Sequence, residues 1–180
     1  IPIITSVSLA ANNSTLAVTF SEAVYNTSAG SGALEVGDFV FSITLGTATL
    51  SSTTPSSISI SGNVYTLGIG LSGNPDGDEL LVVNPVDDSI YDATGNEAST
   101  SQSNNTVYLN DKVVPIISSV ALASDNSTLA VTFSEAVDNS SSGAGALEVS
   151  DFAFSITGGT ATLTSTTPSS ISISGNVYTL

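Results

Sequence analysis

The amino-acid sequence repeats itself with a period of 113 residues. When the chain is shifted by 113 positions, residues 1–67 align with residues 114–180 without a gap, and 54 of the 67 pairs are identical. Near-identity over such a period indicates a duplicated unit of about the length of one small domain. The sequence therefore predicts two domains, a complete repeat at 1–113 and an incomplete second copy of the same repeat at 114–180.

The second copy has no counterpart of residues 68–113, and its last residues fall within an alternating strand pattern. Two explanations stay open on the sequence alone. Either the sequence stops before the repeat is complete, or a neighbouring chain supplies the remaining strands, since an extended segment can add to an open sheet edge.

Apolar and polar residues alternate along most of the chain. In the run LAVTF at 16–20, which recurs at 129–133, the first, third and fifth side chains share one face of a strand. A single helical turn is expected at 33–36. Eight short strands separated by Asn, Gly and Pro turns predict an all-β fold, built of tandem immunoglobulin-like β-sandwich repeats. The predicted strands of the first copy are 3–9, 15–20, 39–44, 47–50, 57–60, 64–71, 79–83 and 106–109.

The charge balance excludes several classes of function. The chain has sixteen Asp and Glu residues against one lysine, Lys112, and its formal net charge is −15. Such a chain gains nothing from phosphate backbones or anionic membrane surfaces, both of which attract basic proteins. It also lacks His and Cys, which removes the commonest general base and the thiol nucleophile. We expect no enzymatic activity, no nucleic-acid partner and no membrane insertion in this segment.

The composition also bears on the compartment. A chain without cysteine has no thiol that an oxidising environment can modify, and an acidic surface stays soluble in salt water. No apolar run approaches the roughly 18 residues of a membrane span. These features predict an extracellular or cell-surface location.

Two motifs carry a family resemblance. The segment TLAVTFSEAV at 15–24, which recurs at 128–137, and the segment IYDATGNEAS at 90–99 resemble the bacterial Ig-like tandem repeats of surface adhesins and S-layer proteins, of the SbsA and SwmB-like types. In that pattern an alternating strand ends in Phe-Ser-Glu-x-Val, and an Asp-x-x-Gly-Asn turn precedes the last strand. The resemblance implies a β-sandwich used as a spacer in long arrays, many of which hold calcium.

Acidic residues are concentrated between positions 76 and 97, mostly in predicted loops. Calcium prefers about six to eight oxygen ligands, and loop carboxylates are suitable donors. Residues 74–78 begin like an EF-hand loop, but the glycine and the final glutamate that this loop requires are not in place. The alternative is that the acids form a solvated rim. Calcium is the one cofactor we expect, with Asp76, Asp78, Asp87, Asp88, Asp92 and Asp111 as its candidate ligands.

Residues 111–115 join the two copies. Pro115 holds the residue before it in an extended conformation, so a short joint of this kind favours a stiff connection. Glu22 follows a predicted strand, and two roles stay open for it: a calcium or interdomain contact, or an acceptor for backbone N–H groups of the loop behind it. The candidate interdomain residues are Glu22, Asn110, Lys112 and Pro115.

These observations favour a structural role without catalysis. The first hypothesis is an extender, stalk or fibre-forming repeat of a secreted or cell-surface bacterial protein, such as an adhesin, an S-layer protein or an extracellular filament. Its partners would be neighbouring copies of the same repeat. The second hypothesis is a self-polymerising filament subunit completed by strand donation from a neighbour. The third is a glycan-binding module, with Tyr25 and Tyr91 as the available stacking residues.

Overall fold

The computed structural model describes residues 1–141 and 143–180, and they divide into two compact units, Ile1–Val113 and Val114–Leu180. The described residues form several antiparallel sheets and no α-helix. Two short 3-10 helices are present, at Val36–Asp38 and Val149–Asp151. No helix in the described part of the chain has the length and hydropathy needed to span a membrane. The all-β class predicted from the alternating pattern is confirmed.

The first unit contains three antiparallel sheets. A four-stranded sheet has the order β1-β2-β6-β5, a three-stranded sheet has the order β3-β8-β9, and β4 pairs with β7. The strands are β1 (Ile4–Leu9), β2 (Thr15–Phe20), β3 (Phe39–Thr44), β4 (Thr49–Leu50), β5 (Ile58–Ser61), β6 (Val64–Gly68), β7 (Leu71–Ser72), β8 (Leu80–Pro85) and β9 (Thr106–Tyr108).

The two larger sheets of the first unit bury their apolar faces in one core. Every second residue of β2 and β8 is buried, and so are Phe39 and Phe41 of β3, as the period of a strand requires. Burial of each large side chain stabilises the fold by roughly 1.5–3 kcal/mol. Two sheets that contribute to one core are consistent with a β-sandwich. The shared core includes Leu16, Phe20, Phe41, Leu81 and Val83.

Each unit contains an aromatic trio, which is buried in the core of the first unit, whereas Phe133 and Phe152 of the second unit are only partly buried. In the first unit the ring centroids are 6.3, 5.6 and 6.2 Å apart, and in the second unit the corresponding separations are 6.4, 5.4 and 6.1 Å. One pair in each trio packs edge to face, an arrangement worth about 0.5–1.5 kcal/mol beyond burial. The duplicated sequence therefore builds the same arrangement of aromatic rings twice. The trios are Phe20, Phe39 and Tyr65, and Phe133, Phe152 and Tyr178.

The predicted strand 64–71 is divided in the structure. It is interrupted at residues 69 and 70, where the chain leaves β6 in one sheet and enters β7 in another. The predicted hairpin around Gly62 is confirmed, since Ser61 lies opposite Val64 in the β5–β6 pair. The helical turn expected at 33–36 lies instead at Val36–Asp38, because the Asp38 carboxylate accepts the N–H of Glu35 and fixes the turn there.

The second unit forms one four-stranded sheet. Its strands are β10 (Ile117–Leu122), β11 (Leu129–Phe133), β12 (Ser172–Ser174) and β13 (Val177–Thr179). Their order, β10-β11-β13-β12, repeats the order β1-β2-β6-β5 of the first unit. The sequence pattern of these strands and their turns is therefore sufficient to specify one sheet twice.

The prediction that the second copy repeats all the corresponding strands of the first is wrong for two of them. Residues 152–157 and 162–163 correspond to β3 and β4, and neither segment is a strand. In the first unit β3 pairs with β8 and β4 pairs with β7. Neither partner has a counterpart in residues 114–180. A segment becomes a strand only when its backbone donors and acceptors find a partner.

Candidate functional site

Glu79 is a buried carboxylate that holds two loops of the first unit together. It lies two residues before the buried Leu81, on the inward face of the β8 pattern. Its Oε1 accepts the N–H groups of Thr47 and Ala48 at 2.9 and 2.8 Å. Its Oε2 accepts that of Asp76 at 3.1 Å and that of Gly77 at 3.2 Å. Four backbone donors therefore surround one buried negative charge.

The balance of two effects fixes the protonation state of Glu79. Burial by itself raises the pKa of this carboxyl. The backbone hydrogen bonds that it accepts, first from Ala48 and then from Asp76 and Thr47, have a larger combined effect and lower the pKa below its usual value. Glu79 is therefore charged at neutral pH, and its role is to organise the loops rather than to exchange protons.

The loop before β8 and the joint after β9 lie side by side. The N–H of Lys112 donates to the carbonyl of Pro75 at 2.7 Å. The carboxylate of Asp76 accepts the N–H of Asp78 at 3.1 Å, and that of Asp111 accepts the N–H of Val113 at 2.8 Å. Each of these two carboxylates thus caps its own loop, while the Asp78 side chain is exposed.

Asn110 is held in place by an asparagine from the β1–β2 turn. The Nδ2 of Asn13 donates to the Asn110 carbonyl at 2.7 Å, and the Asn110 N–H donates to the Oδ1 of Asn13 at 2.9 Å. Asn13 itself is buried and has φ +60, a left-handed conformation that Asn tolerates better than most residues. This reciprocal pair anchors the chain where it enters the joint.

Asp92 organises the second acidic loop, which follows β8. Its Oδ1 accepts the N–H of Thr94 at 2.8 Å and that of Asn96 at 2.9 Å, and its Oδ2 accepts the Asn96 side chain at 2.8 Å. Hydrogen bonds from the Asn96 side chain and backbone, and then from Thr94, hold the pKa of this carboxyl far below its usual value. Asp92 is thus the centre of the Asp-x-x-Gly-Asn turn.

The other acids of this loop have separate positions. Asp87 is exposed. The N–H of Asp88 donates to the Glu97 carboxylate at 2.6 Å, and the Tyr91 hydroxyl lies 3.5 Å from the Asp88 carboxylate. Burial, and then the charge of Asp88, raise the pKa of Tyr91. Tyr25 and Tyr91 exchange two backbone hydrogen bonds of 2.8 Å, so the two candidate stacking residues are neighbours in the structure. Glycan binding by them stays a prediction.

Glu22 lies at the opposite end of the first unit from two other candidate interdomain residues. Its Oε1 is 3.5 Å from the amino group of Ile1, which is also 3.3 Å from the Oδ2 of Asp92. Asp92 follows β8, whereas Asn110 and Lys112 contact the loops at the other end. Pro115 is exposed in the joint. The structure therefore does not bring these candidates together in the first unit.

The predicted calcium ligands are divided in the same way. Asp76 and Asp78 precede β8, and Asp87, Asp88 and Asp92 follow it. A six-residue strand is about 20 Å long at roughly 3.3 Å per residue, so these carboxylates cannot share one ion. Within residues 1–141 and 143–180, no three acidic side chains are arranged to hold a metal. The six predicted ligands therefore do not form a single site, and calcium binding stays a prediction.

No sequence motif points to the two residues that organise the loops most strongly, Glu79 and Asn13. Glu79 alternates with Leu81 and Val83, so its side chain lies on the apolar face of the strand. A carboxylate on that face requires hydrogen-bond donors, which could have marked Glu79 in the sequence. Nothing local marked Asn13, because its partner lies 97 positions away.

Comparisons with protein-family models, with curated proteins and with solved structures find no match to this chain. The resemblance to bacterial Ig-like repeats therefore depends on the sequence motifs, and it stays a prediction.

Proposed function

We propose that this chain is a structural spacer from an extracellular or cell-surface bacterial protein, built of Ig-like repeats that set the distance between other parts. The observation that carries this proposal is the short connection between the units. The N–H of Lys112 donates to the Pro75 carbonyl of the first unit at 2.7 Å, and the N–H of Ile116 donates to the Ser134 hydroxyl of the second unit at 3.0 Å. Only residues 113–115 lie between these anchored positions, so the connection is short.

The duplicated aromatic trio supports the same proposal. A spacer requires modules that fold alike wherever they occur in an array, and the two aromatic trios have separations that agree within 0.2 Å. Tandem sandwiches also resist extension through the hydrogen bonds of their antiparallel ladders, which needs no ligand and no catalytic residue. The acidic, cysteine-free composition suits an oxidising, saline environment.

The test is to lengthen the connection. A Gly-Ser-Gly-Ser insertion between Val114 and Pro115 gives the units independent motion if the native connection is stiff. We expect small-angle scattering to report a broader distribution of dimensions, and NMR relaxation to report faster tumbling of each unit. The control carries the same insertion between the exposed Ser99 and Thr100. The spacer proposal fails if the insertion in the joint changes neither measurement.

A second candidate function is assembly with neighbouring repeats by strand donation. In that assembly a donated strand would pair with residues 152–157, whose sequence closely matches that of β3. Light scattering over a range of concentrations tests polymerisation by this chain alone, which requires the mass to rise with concentration. A constant mass of 18.0 kDa counts against it.

A further inference from the structure

Each unit presents the same strand at one edge of its four-stranded sheet. In the first unit this strand is β5, and in the second unit β12 occupies the equivalent edge. Residues 57–61 and 170–174, which include these strands, are identical in sequence, and we call them the edge segments. Ile60 is 46% exposed and its counterpart Ile173 is 45% exposed. The two edge segments are therefore alike in sequence, in position and in exposure.

Alternate residues of the first edge segment direct their backbone groups away from the sheet. An N–H group of β6 donates to the carbonyl of Ser57 at 2.9 Å, so this position bonds inward. In an antiparallel pair the bonded positions alternate along the strand, which places Ser59 and Ser61 inward as well. The backbone groups of Ile58 and Ile60 therefore face outward, where the sheet has no further strand.

Loops cover two other outer strands of the first unit. The N–H of Ile4 on β1 donates to the side chain of Gln102 at 2.8 Å, and the N–H of Phe41 on β3 donates to the carbonyl of Thr53 at 2.7 Å. Within residues 1–141 and 143–180, neither Ile58 nor Ile60 has a loop partner of this kind. Open backbone groups at a sheet edge are a template for pairing with another chain.

The edge segments also lack the charges that commonly block such pairing. Natural edge strands are often protected by a charged side chain or a proline. The edge segments contain neither, and residues 39–75 and 152–180 contain no Asp, Glu, Lys or Arg. The other strands of the β1-β2-β6-β5 sheet are also uncharged. Although the chain has a net charge of −15, two copies can therefore meet along this edge without opposing charged side chains.

The edge segment is complementary to a second copy of itself, because its sequence, SISIS, is a palindrome. When two copies pair in antiparallel orientation about Ser59, Ile58 of one copy lies opposite Ile60 of the other. Opposite residues share a face of the sheet, so the isoleucines of both copies pack together. The same two positions direct their backbone groups outward, so this register also pairs the open N–H and C=O groups. A twofold interface requires such a self-complementary patch.

We propose that the edge segments are docking surfaces for one another, and that copies of this chain associate by antiparallel pairing centred on Ser59 and on its counterpart Ser172. The partner is a second copy of this chain. Two four-stranded sheets become one continuous sheet across each contact. A single contact is short and therefore weak, but each chain carries two edge segments, so contacts reinforce one another by multivalency. This inference goes beyond the spacer proposal and does not depend on it.

The first test follows the association of the full 180-residue chain. Light scattering over a range of concentrations, in a salt that screens the acidic surface, should report an average mass that rises above 18.0 kDa. Amide hydrogen exchange measured by NMR should slow at Ile58 and Ile60 as the mass rises. Exchange at Ser59 and Ser61 should change little, because these residues bond to β6 with or without a partner. A mass that stays at 18.0 kDa would overturn the proposal.

Matched variants locate the contact. Ser59→Asp combined with Ser172→Asp places like charges opposite each other in every contact, and so does Ser59→Lys combined with Ser172→Lys. Each double variant should associate about fivefold more weakly than the parent chain. A mixture of the two should recover the association, since an aspartate then lies opposite a lysine. The control, Ser6→Asp combined with Ser119→Asp, adds the same charge at exposed positions on the opposite edge of each sheet and should associate as the parent does.

The outcomes distinguish this contact from the other proposals. Equal losses in the edge variants and the control, or a mixture that associates no better than its components, would each overturn the proposal. Recovery in the mixture also shows that the variants are folded. Association that persists unchanged in both double variants would favour strand donation to residues 152–157 and overturn pairing by the edge segments. The result is independent of the insertion test, because the edge segments lie outside the joint.

Discussion

The carboxylate of Glu79 occupies the space that a side chain at Gly46 would need. A β-carbon at Gly46 would overlap the carboxylate, and the glycine has φ +61, in the left-handed region that favours glycine. The residues that follow it, Thr47 and Ala48, both donate their N–H groups to the Oε1 of Glu79. The backbone of residues 46–48 therefore packs directly against the buried charge of Glu79.

Replacing Glu79 with Gln should destabilise the first unit. The neutral amide keeps one acceptor but turns an NH₂ donor toward backbone N–H groups, and leaving such buried donors unsatisfied costs about 1–3 kcal/mol. Urea denaturation, with hydrogen exchange to assign the transition to residues 1–113, measures the change. The control Asp87→Asn removes an exposed carboxylate and should change stability by less than about 0.5 kcal/mol. Equal effects of the two variants would contradict the role assigned to Glu79.

The contribution of Glu79 should also depend on pH. Its pKa in the folded chain is lowered from the usual 4.5, so the unfolded state binds a proton more readily than the folded state does. The stabilisation is therefore fully present above about pH 4.5 and is lost as the pH falls through the folded pKa. Denaturation of the parent and Glu79→Gln chains over a pH series should show their difference shrinking in acid. A constant difference would show that the charge is not responsible.

Leu45→Gly should stabilise the first unit. Leu45 is exposed and has φ +65, while the second unit has Gly158 at the same position with φ +79. A left-handed conformation costs a leucine about 1–2 kcal/mol, and the greater freedom of glycine in the unfolded chain offsets part of this, which leaves a gain of about 0.5–1 kcal/mol. The reverse change, Gly158→Leu, should destabilise the second unit. Thermal denaturation of both variants measures the effect, and a loss of stability in Leu45→Gly would refute this account.

Asn13→Gly should loosen the joint. Glycine keeps the left-handed backbone of Asn13 but removes the amide that binds Asn110, at an expected cost of about 1–2 kcal/mol. Hydrogen exchange at residues 109–113 should accelerate. Asn126→Gly is the matched control, since the second unit has no counterpart of Asn110 for it to bind. Faster exchange in the control but not in Asn13→Gly would contradict this prediction.

If the acidic loops bind calcium, removing calcium with a chelator should lower the stability of the folded chain. A site that binds only the folded chain adds about 2.7 kcal/mol when free calcium exceeds its Kd a hundredfold. Calorimetry in calcium chloride and in EDTA should then show a lower Tm after chelation, with magnesium chloride as the control for ionic strength. An unchanged Tm would remove calcium from the description of this protein.

Sequence alone determined the elements that depend on neighbouring residues. Local preferences specify strands and hairpins. The alternation in LAVTF at 16–20 places its apolar side chains on one face of a strand, and the residues around Gly62 favour a tight turn. The strand at 15–20 and the hairpin at Gly62 are confirmed, and the β10-β11-β13-β12 sheet has the same strand order as β1-β2-β6-β5.

The tertiary structure decided what depends on distant partners. Residues 39–44 and 152–157 differ at one position, Val40 against Ala153, yet the first segment is strand β3 and the second is not a strand. The physical reason is that alternation fixes which side chains share a face, whereas a strand exists only when its N–H and C=O groups are paired across the sheet. Burial of Glu79 and the bond between Asn13 and Asn110 depend on the tertiary structure for the same reason, because their partners come together only after the sheets have formed.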